Sequence, residues 1–382
     1  MAPQYGIGHP PLRAPGKPTK ASPSDVRRTN RILIFNLLFP STPRSRAELS
    51  RLTGLSRVAV SDVINDMLEE GLIRENGFET GTGGKGKRAT LLTIDPTRLH
   101  VISIDLSQDQ LIEGTVTDLK GQPQEHMEIA LEPDDHIDAE AIVQLVDQLR
   151  ADIDDESIIG IGIAAPGVVS NGVIRESTAL GWKDVDLKTI IESRFTIPVT
   201  VINDTIGSCL TERFFGDAGQ NLMFVKIDTG IASATLIDDV PVLGEHHAGG
   251  EIGHISLDPD HGPQCPCGKR GCMEMIIGAP ILRAAMAGKT HEEKTAVIRD
   301  AGTYFASALA MSMGLLDITD ICVYGPADIV NKAFIQSAQE RMDAMTESSF
   351  HKRTRIRRCQ CGAGIALRGA AVTVVLRHIE ES

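Results

Sequence analysis

The chain of 382 residues has no apolar run long enough to cross a bilayer, a task that takes about 20 consecutive apolar residues. Its first residues include no apolar h-region, so the reading excludes a signal peptide. It has no broad disulfide framework either. Only seven cysteines are present, and several are grouped as metal ligands would be, which fits a reducing compartment. These absences point to a cytoplasmic protein with no membrane partner. Residues 1–23 are short of apolar side chains and rich in Pro, Gly and Lys. Such a segment buries too little to fold alone and is expected to be a disordered tail, with Arg13, Lys17 and Lys20 adding a weak attraction for phosphate.

The net charge of −13 conceals an asymmetry. Residues 1–98 carry 15 Lys/Arg against 9 Asp/Glu, or +6; the remainder carries 23 against 42, or −19. A basic front on an acidic body places any polyanion-binding surface at the front. The pattern there is compact. Asp25 can cap a helix running through Leu38 and ended by Pro40. Ser45-Arg46-Ala47-Glu48 has the form of a capping box opening a second helix that stops at Gly54. Ser56 can cap a third helix, on which Val60, Ile64, Met67 and Leu68 recur at helical spacing and should face inward, with Gly71 beyond its end. Leu72–Arg74, a turn-rich 77–86 and Arg88–Ile94 then read as a β-hairpin. This is a winged helix-turn-helix over 24–95. Its third helix would enter the major groove by its first turns, through Ser56, Arg57, Ala59 and Ser61. Asp62 either reads a cytosine amino group or pairs with a neighbouring arginine. Lys85, Lys87 and Arg88, at and beside the wing tip, are suited to the adjacent minor groove.

From His100 the reading is α/β. Expected strands at 158–164, 199–202, 222–227 and 321–324 end respectively in Ala165-Pro166-Gly167, Asn203-Asp204, Asp228-Thr229-Gly230 and Gly325-Pro326. Polar groups gathered at the carboxyl edge of a sheet are where α/β proteins bind ligands. Residues 101–106, 113–118 and 125–131 read as a meander, and 139–153 as an amphipathic helix.

The densest chemistry lies in Gly253-His254 and Cys265-Pro266-Cys267-Gly268-Lys269-Arg270-Gly271-Cys272-Met273-Glu274, with three cysteines and a histidine within nineteen residues. His254, Cys265, Cys267 and Cys272 make a Cys3His set, which suits Zn2+; four protein ligands leave no open position, so the metal is expected to be structural. Cys359-Gln360-Cys361 lacks a nearby partner in sequence apart from His351 and reads as core or surface thiols, and Cys209 and Cys322 read as core.

On these residues, above all Gly250-Glu251-Ile252-Gly253-His254 with the cysteine motif, the chain resembles the ROK family of repressors, open reading frames and kinases, and within it the repressors of sugar metabolism. The likeness spans nearly all of 25–382. It implies an α/β body over 96–382 with the actin-like (ribonuclease H-like) two-lobed fold of sugar kinases. Lobe one is about 96–200 plus 366–382, and lobe two about 201–365. It also implies that Asn203, Asp204, Glu251, Glu274 and His254 line a sugar pocket, where carboxylates accept hydroxyl protons, and that Asp204 would be the base in a kinase. The phosphate turns depart from the kinase pattern. Asp105-Leu106-Ser107-Gln108-Asp109 stands where ROK kinases carry a glycine pair, 228–233 has lost two glycines, and the adenosine turn is Tyr324-Gly325-Pro326. Backbone N–H groups in Gly-rich turns cradle phosphate, so ATP binding and catalysis are not expected. Ala179-Leu180 before Gly181-Trp182 removes one polar sugar contact of the kinases.

The expectation is therefore a sugar-responsive, DNA-binding regulator, a repressor of carbohydrate-metabolism genes. Its partners would be a double-stranded operator, a small sugar or sugar-phosphate effector and a second copy of itself, as a homodimer or homotetramer. A helix around Ile94–His100 and the C-terminal Ala366–Ile379 would link effector site to DNA. The alternatives are a ROK sugar kinase with an accessory DNA-binding domain, and a protein-binding scaffold.

Overall fold

The computed structural model describes residues 23–79, 88–108, 110–131, 137–350 and 352–381. The tail arginine and lysines, Lys85 and Lys87 of the wing tip, Asp109 and His351 lie outside the described residues. The chain forms two compact units. One holds the described residues up to Gly207 together with those from Ala366 onward, and the other is Ser208–Ile365.

The N-terminal unit begins with α1 (Pro23–Leu38), a short β1 (Arg44–Ser45), α2 (Arg46–Thr53) and α3 (Arg57–Glu69). Asp25 does not cap α1, which begins two residues earlier and carries it within the first turn, but the next two helices are capped by the expected serines. Ser45 Oγ accepts the Glu48 N–H at 3.4 Å, Gly54 stops α2 in the left-handed region (φ 72°), and Ser56 Oγ accepts the Ala59 N–H at 3.2 Å. The Glu48 carboxylate does not close a capping box; it is drawn to Arg44. On α3 the buried positions are Val60, Val63, Ile64 and Met67, while Leu68 is only half-buried. Val63 takes the place expected for Leu68, because the 60/63/64/67 set lies closer to the centre of one helical face. α3 packs against α1 and β2, α1 also packs against β3, and Ile34, Phe35 and Leu38 of α1 and Leu92 and Ile94 of the wing are all fully buried. The wing is β2 (Ile73–Phe78) antiparallel to β3 (Thr90–Ile94), and β1 pairs with β3 on the other side. Together they form a winged helix-turn-helix.

The helix expected around 94–100 is absent. Asp95 is almost fully buried and its Oδ1 accepts both the N–H (2.9 Å) and the hydroxyl (2.7 Å) of Thr97. This local turn competes with helix formation. The chain passes directly into β4 (His100–Asp105), β5 (Leu111–Thr117) and β6 (Pro123–Ala130), then α4 (Ala139–Arg150) and β7 (Ile158–Ala165). The small sheet β8 (Val168–Ser170), β9 (Val173–Ser177), β10 (Trp182–Val185), then α5 (Leu187–Glu192) and β11 (Val199–Asn203) complete this stretch. The large sheet has the order β11-β7-β4-β5-β6. Its strands β4, β5 and β6 form an antiparallel meander, and β7 and β11 are parallel to β4.

A helix α6 (Asp204–Phe215) leads into the second unit, with β12 (Leu222–Ile227), β13 (Ile231–Ile237), β14 (Val240–Pro241), α7 (Glu274–Ile277), α8 (Ala279–Met286), α9 (His291–Leu316), β15 (Asp320–Tyr324), α10 (Lys332–Thr346) and β16 (Arg355–Arg358). Its sheet order is β14-β13-β12-β15-β16, again an antiparallel meander continued by two parallel strands. The two sheets therefore share one topology. Residues 231–233, read from sequence as part of a phosphate turn, belong to β13; the turn itself is confined to 228–230, where the Asp228 N–H reaches the Gly230 carbonyl at 2.9 Å. The core of this unit lies between the sheet and α9 and α10, where Phe305 and Phe334 rings are 5.3 Å apart.

The last helix, α11 (Ile365–Glu381), returns to the N-terminal unit. It crosses β7 where that strand carries glycine. A Cβ on Gly162 would lie 2.5 Å from the Ala370 carbonyl oxygen, so only glycine admits the helix at this depth. The far end of α11 reaches the DNA-binding domain. His378 is held below its ordinary pKa by burial and then by the charge of Arg31, and burial, against the pull of Arg28, pushes Glu380 up to about 7. Among the described residues no helix is long and apolar enough to cross a membrane.

Candidate functional site

Within the second unit the His254–Cys272 segment folds as a small hairpin stitched by backbone. Cys265 N–H reaches the Lys269 carbonyl at 2.8 Å, Gly268 N–H the Cys265 carbonyl at 3.0 Å, and Met273 N–H the Ile255 carbonyl at 2.9 Å. Gly271 sits at φ 64°, and a Cβ there would be 2.0 Å from the Asp258 carbonyl oxygen, so the hairpin closes only on glycine. The result brings one ligand atom each from His254, Cys265, Cys267 and Cys272 within 4.8 Å of one another. Cys267 Sγ lies 3.6 Å from Cys272 Sγ, and Cys265 Sγ 3.7 Å from His254 Nδ1. The N–H of Lys269 draws the Cys267 thiol below its usual range, favouring the thiolate that binds metals. The cluster can hold a metal ion.

Of the carbohydrate residues expected from sequence, His254 and Glu274 meet. Glu274 Oε1 is 3.1 Å from His254 Nδ1 and 3.2 Å from Cys265 Sγ, so this carboxylate borders the cysteine–histidine cluster. Glu251 is half-buried just before the 3-10 turn Ile252–His254. Met273, beside the motif, is buried in the core of the unit and anchors the hairpin. In the N-terminal unit, Asn203 ends β11 and caps α6. Its Oδ1 accepts the N–H groups of Thr205 and Ile206 at 3.0 Å each, and its Nδ2 donates to the Gly167 carbonyl at 2.9 Å. The Asn203 side chain thereby fixes the helix start where Asp204 stands, 5 % exposed. Asp105 turns inward and accepts the Ser107 N–H at 2.8 Å. Trp182 Nε1 donates to the Ile137 carbonyl at 3.0 Å.

On and beside α3, Ser56 and Arg57 are exposed, Ala59 and Ser61 half-buried, and Arg88 is exposed at the base of the wing. Asp62 does not take the arginine; Arg27 pairs with Asp66, one turn on. Val58, not singled out from the sequence, is 70 % exposed on the first turn of α3. The period that places Val60 and Ile64 inward puts Val58 outward.

The ROK family model matches residues 101–376, and the chain belongs to the ROK family. It is 31 % identical over 281 residues to the xylose repressor of Bacillus spizizenii, covering 70 % of each chain. A crystal structure of a ROK family transcriptional regulator, a homologue of the Escherichia coli Mlc protein, superposes with a TM-score of 0.77 at 20 % identity, over 93 % of this chain and 97 % of that one. A ROK glucokinase from Streptomyces griseus, solved with glucose and AMPPNP, aligns at a TM-score of 0.59 and 20 % identity, over 71 % of this chain and 98 % of the kinase. The fold is thus the actin-like α/β fold of ROK proteins, preceded by a helix-turn-helix domain.

Proposed function

We propose that this chain is a sugar-responsive transcriptional repressor of carbohydrate-metabolism genes and not a kinase. The observation that carries the reading is the N-terminal domain: a capped recognition helix presenting Arg57, Val58 and Ser61, beside a wing with Arg88 at its base, joined to a ROK body. In this reading Ser56, Arg57, Ala59, Ser61, Lys85, Lys87 and Arg88 contact an operator, and two copies supply the paired helices that a symmetric site requires. Asp204, Glu251, Glu274 and the second ring nitrogen of His254 bind the hydroxyls of a small sugar or sugar phosphate; Asn203 holds Asp204 in place. Loss of the glycines around 105–109 and 228–233 argues against nucleotide binding, since carboxylates there repel phosphate. The protein works in the cytoplasm.

His254, Cys265, Cys267 and Cys272 hold a structural Zn2+. The separations of 3.6 and 3.7 Å fit the edges of a tetrahedron built on Zn–S bonds of about 2.3 Å, about 3.5 to 3.8 Å. The ion pins Glu251 and Glu274 near the ligating histidine.

The test is operator binding measured across a panel of monosaccharides and their phosphates. One sugar should shift the affinity for operator DNA, and Glu251→Ala should bind DNA as the parent does while losing that shift. A shift that survives in Glu251→Ala overturns the carbohydrate assignment, and ADP release at more than about one turnover per second with any of these sugars overturns the non-enzymatic reading.

A further inference from the structure

Cys322, Cys359 and Cys361 are far apart in sequence from Glu212. In the second unit they gather round Glu212, whose side chain is fully buried. Cys322 on β15 is itself fully buried and Cys359, just after β16, half-buried. Their two Sγ atoms and a Glu212 carboxylate oxygen lie within 4.8 Å of one another. Cys359 Sγ stands 3.0 Å from Glu212 Oε2, which also accepts the N–H groups of Gln360 and Cys361 at 3.2 Å each. Arg357 pairs with Oε1 of the same carboxylate and, at 2.9 Å twice, with both oxygens of Asp320.

We propose that Cys322, Cys359 and Glu212 form a second binding site for a thiophilic divalent cation of the Zn2+ class, distinct from the His254–Cys272 cluster. Stapling of the 359–361 loop to Glu212 needs only the backbone N–H groups and Arg357; it does not call for two sulfur atoms facing one carboxylate. Two thiols and a carboxylate at these separations are a soft first coordination shell. The hydrogen bonds from Arg357, Gln360 and Cys361 fix the carboxylate as outer partners fix metal ligands.

Charge balance favours the exchange. Glu212, Asp320 and Arg357 sum to −1 with both thiols protonated. Binding M2+ forms two S–M bonds and one O–M bond and releases the two thiol protons to solvent, so the buried net charge remains −1. The Cys359 side lines a cavity of 490 Å³ that also borders Asp228, Arg358 and Gln360. This gives the ion an entry path and a fourth ligand from solvent.

The test uses the purified full chain, stripped with a chelator and reloaded with Zn2+ alone. Elemental analysis should find about two ions per chain in the parent and about one in Cys359→Ser, whose hydroxyl can still donate to Glu212, while Cys361→Ser keeps two. Peptide-resolved alkylation supplies a readout that does not depend on the first cluster or on the folding of a variant: Zn2+ should protect Cys359 of the parent from iodoacetamide several-fold. No protection, full metal content in Cys359→Ser, or a Cys322–Cys359 disulfide in place of metal uptake would each overturn the proposal.

Discussion

The two cysteine clusters of the second unit are built in opposite ways. The His254–Cys272 cluster is assembled within nineteen residues by one glycine-closed hairpin, so its four side chains are close along the chain. The Glu212 cluster draws on α6, β15 and the residue after β16, separated by more than a hundred positions at the widest. Only the parallel pairing of β15 with β16 and the approach of α6 bring them together. A local cluster tolerates loosening of the surrounding core, whereas a cluster assembled from three elements fails with the packing that aligns them.

Removing the local metal site should have the largest effect. On the proposed zinc assignment, Cys272→Ser or exhaustive chelation takes away an ion of a kind whose binding contributes on the order of 10 kcal/mol to small zinc-dependent folds. The expected result is loss of about one metal ion per chain with a clear fall in the thermal unfolding temperature; unchanged metal content and stability would break the contrast at its first term. Next comes Glu212→Ala, which leaves Arg357 buried with one carboxylate partner instead of two. A cost of about 3 kcal/mol in denaturant unfolding is expected, at the low end for a broken buried pair because Asp320 remains. A negligible cost would mean that the long-range cluster is not tied to its packing.

A smaller effect tests how local the hairpin is. Gly271→Ala forces a side chain into the left-handed region and against the Asp258 carbonyl, and should cost about 1 to 3 kcal/mol with weaker metal retention but an intact winged helix by limited proteolysis. The smallest effect separates both clusters from the rest of the chain by its sign. Acidification protonates metal ligands, so the clusters lose stability as pH falls. Glu380 runs the other way: its folded pKa, about 7, lies above the ordinary 4.5. Its contribution is fully present below pH 4.5 and is lost as pH rises to 7. Glu380→Gln should flatten that part of the stability profile. A profile between pH 4.5 and 7 identical to the parent's would exclude this junction as its source.

Much of the site was legible before the structure because the signals are short-range. The helix caps at Ser45 and Ser56 and the stop at Gly54 depend on residues a few positions apart, and the His254–Cys272 cluster on residues within nineteen. Where the reading slipped, a competing local or tertiary preference decided. Asp95 formed its own turn in place of the linking helix, and Val63 displaced Leu68 from the α3 core. Asp66, and not Asp62, met Arg27, because the partner comes from α1 and not from the same helix.

By itself the sequence determined the class of fold, the cysteine–histidine hairpin and the capped helix α3, since periodicity, capping and glycine-bounded turns act over short stretches of chain. Tertiary structure alone decided the company each distant side chain keeps. It placed Cys322 and Cys359 against Glu212, and the end of α11 against α1. The physical reason is that strand order and helix docking are set by burying whole faces, and no local spacing specifies which residue of another element a buried thiol or carboxylate will meet.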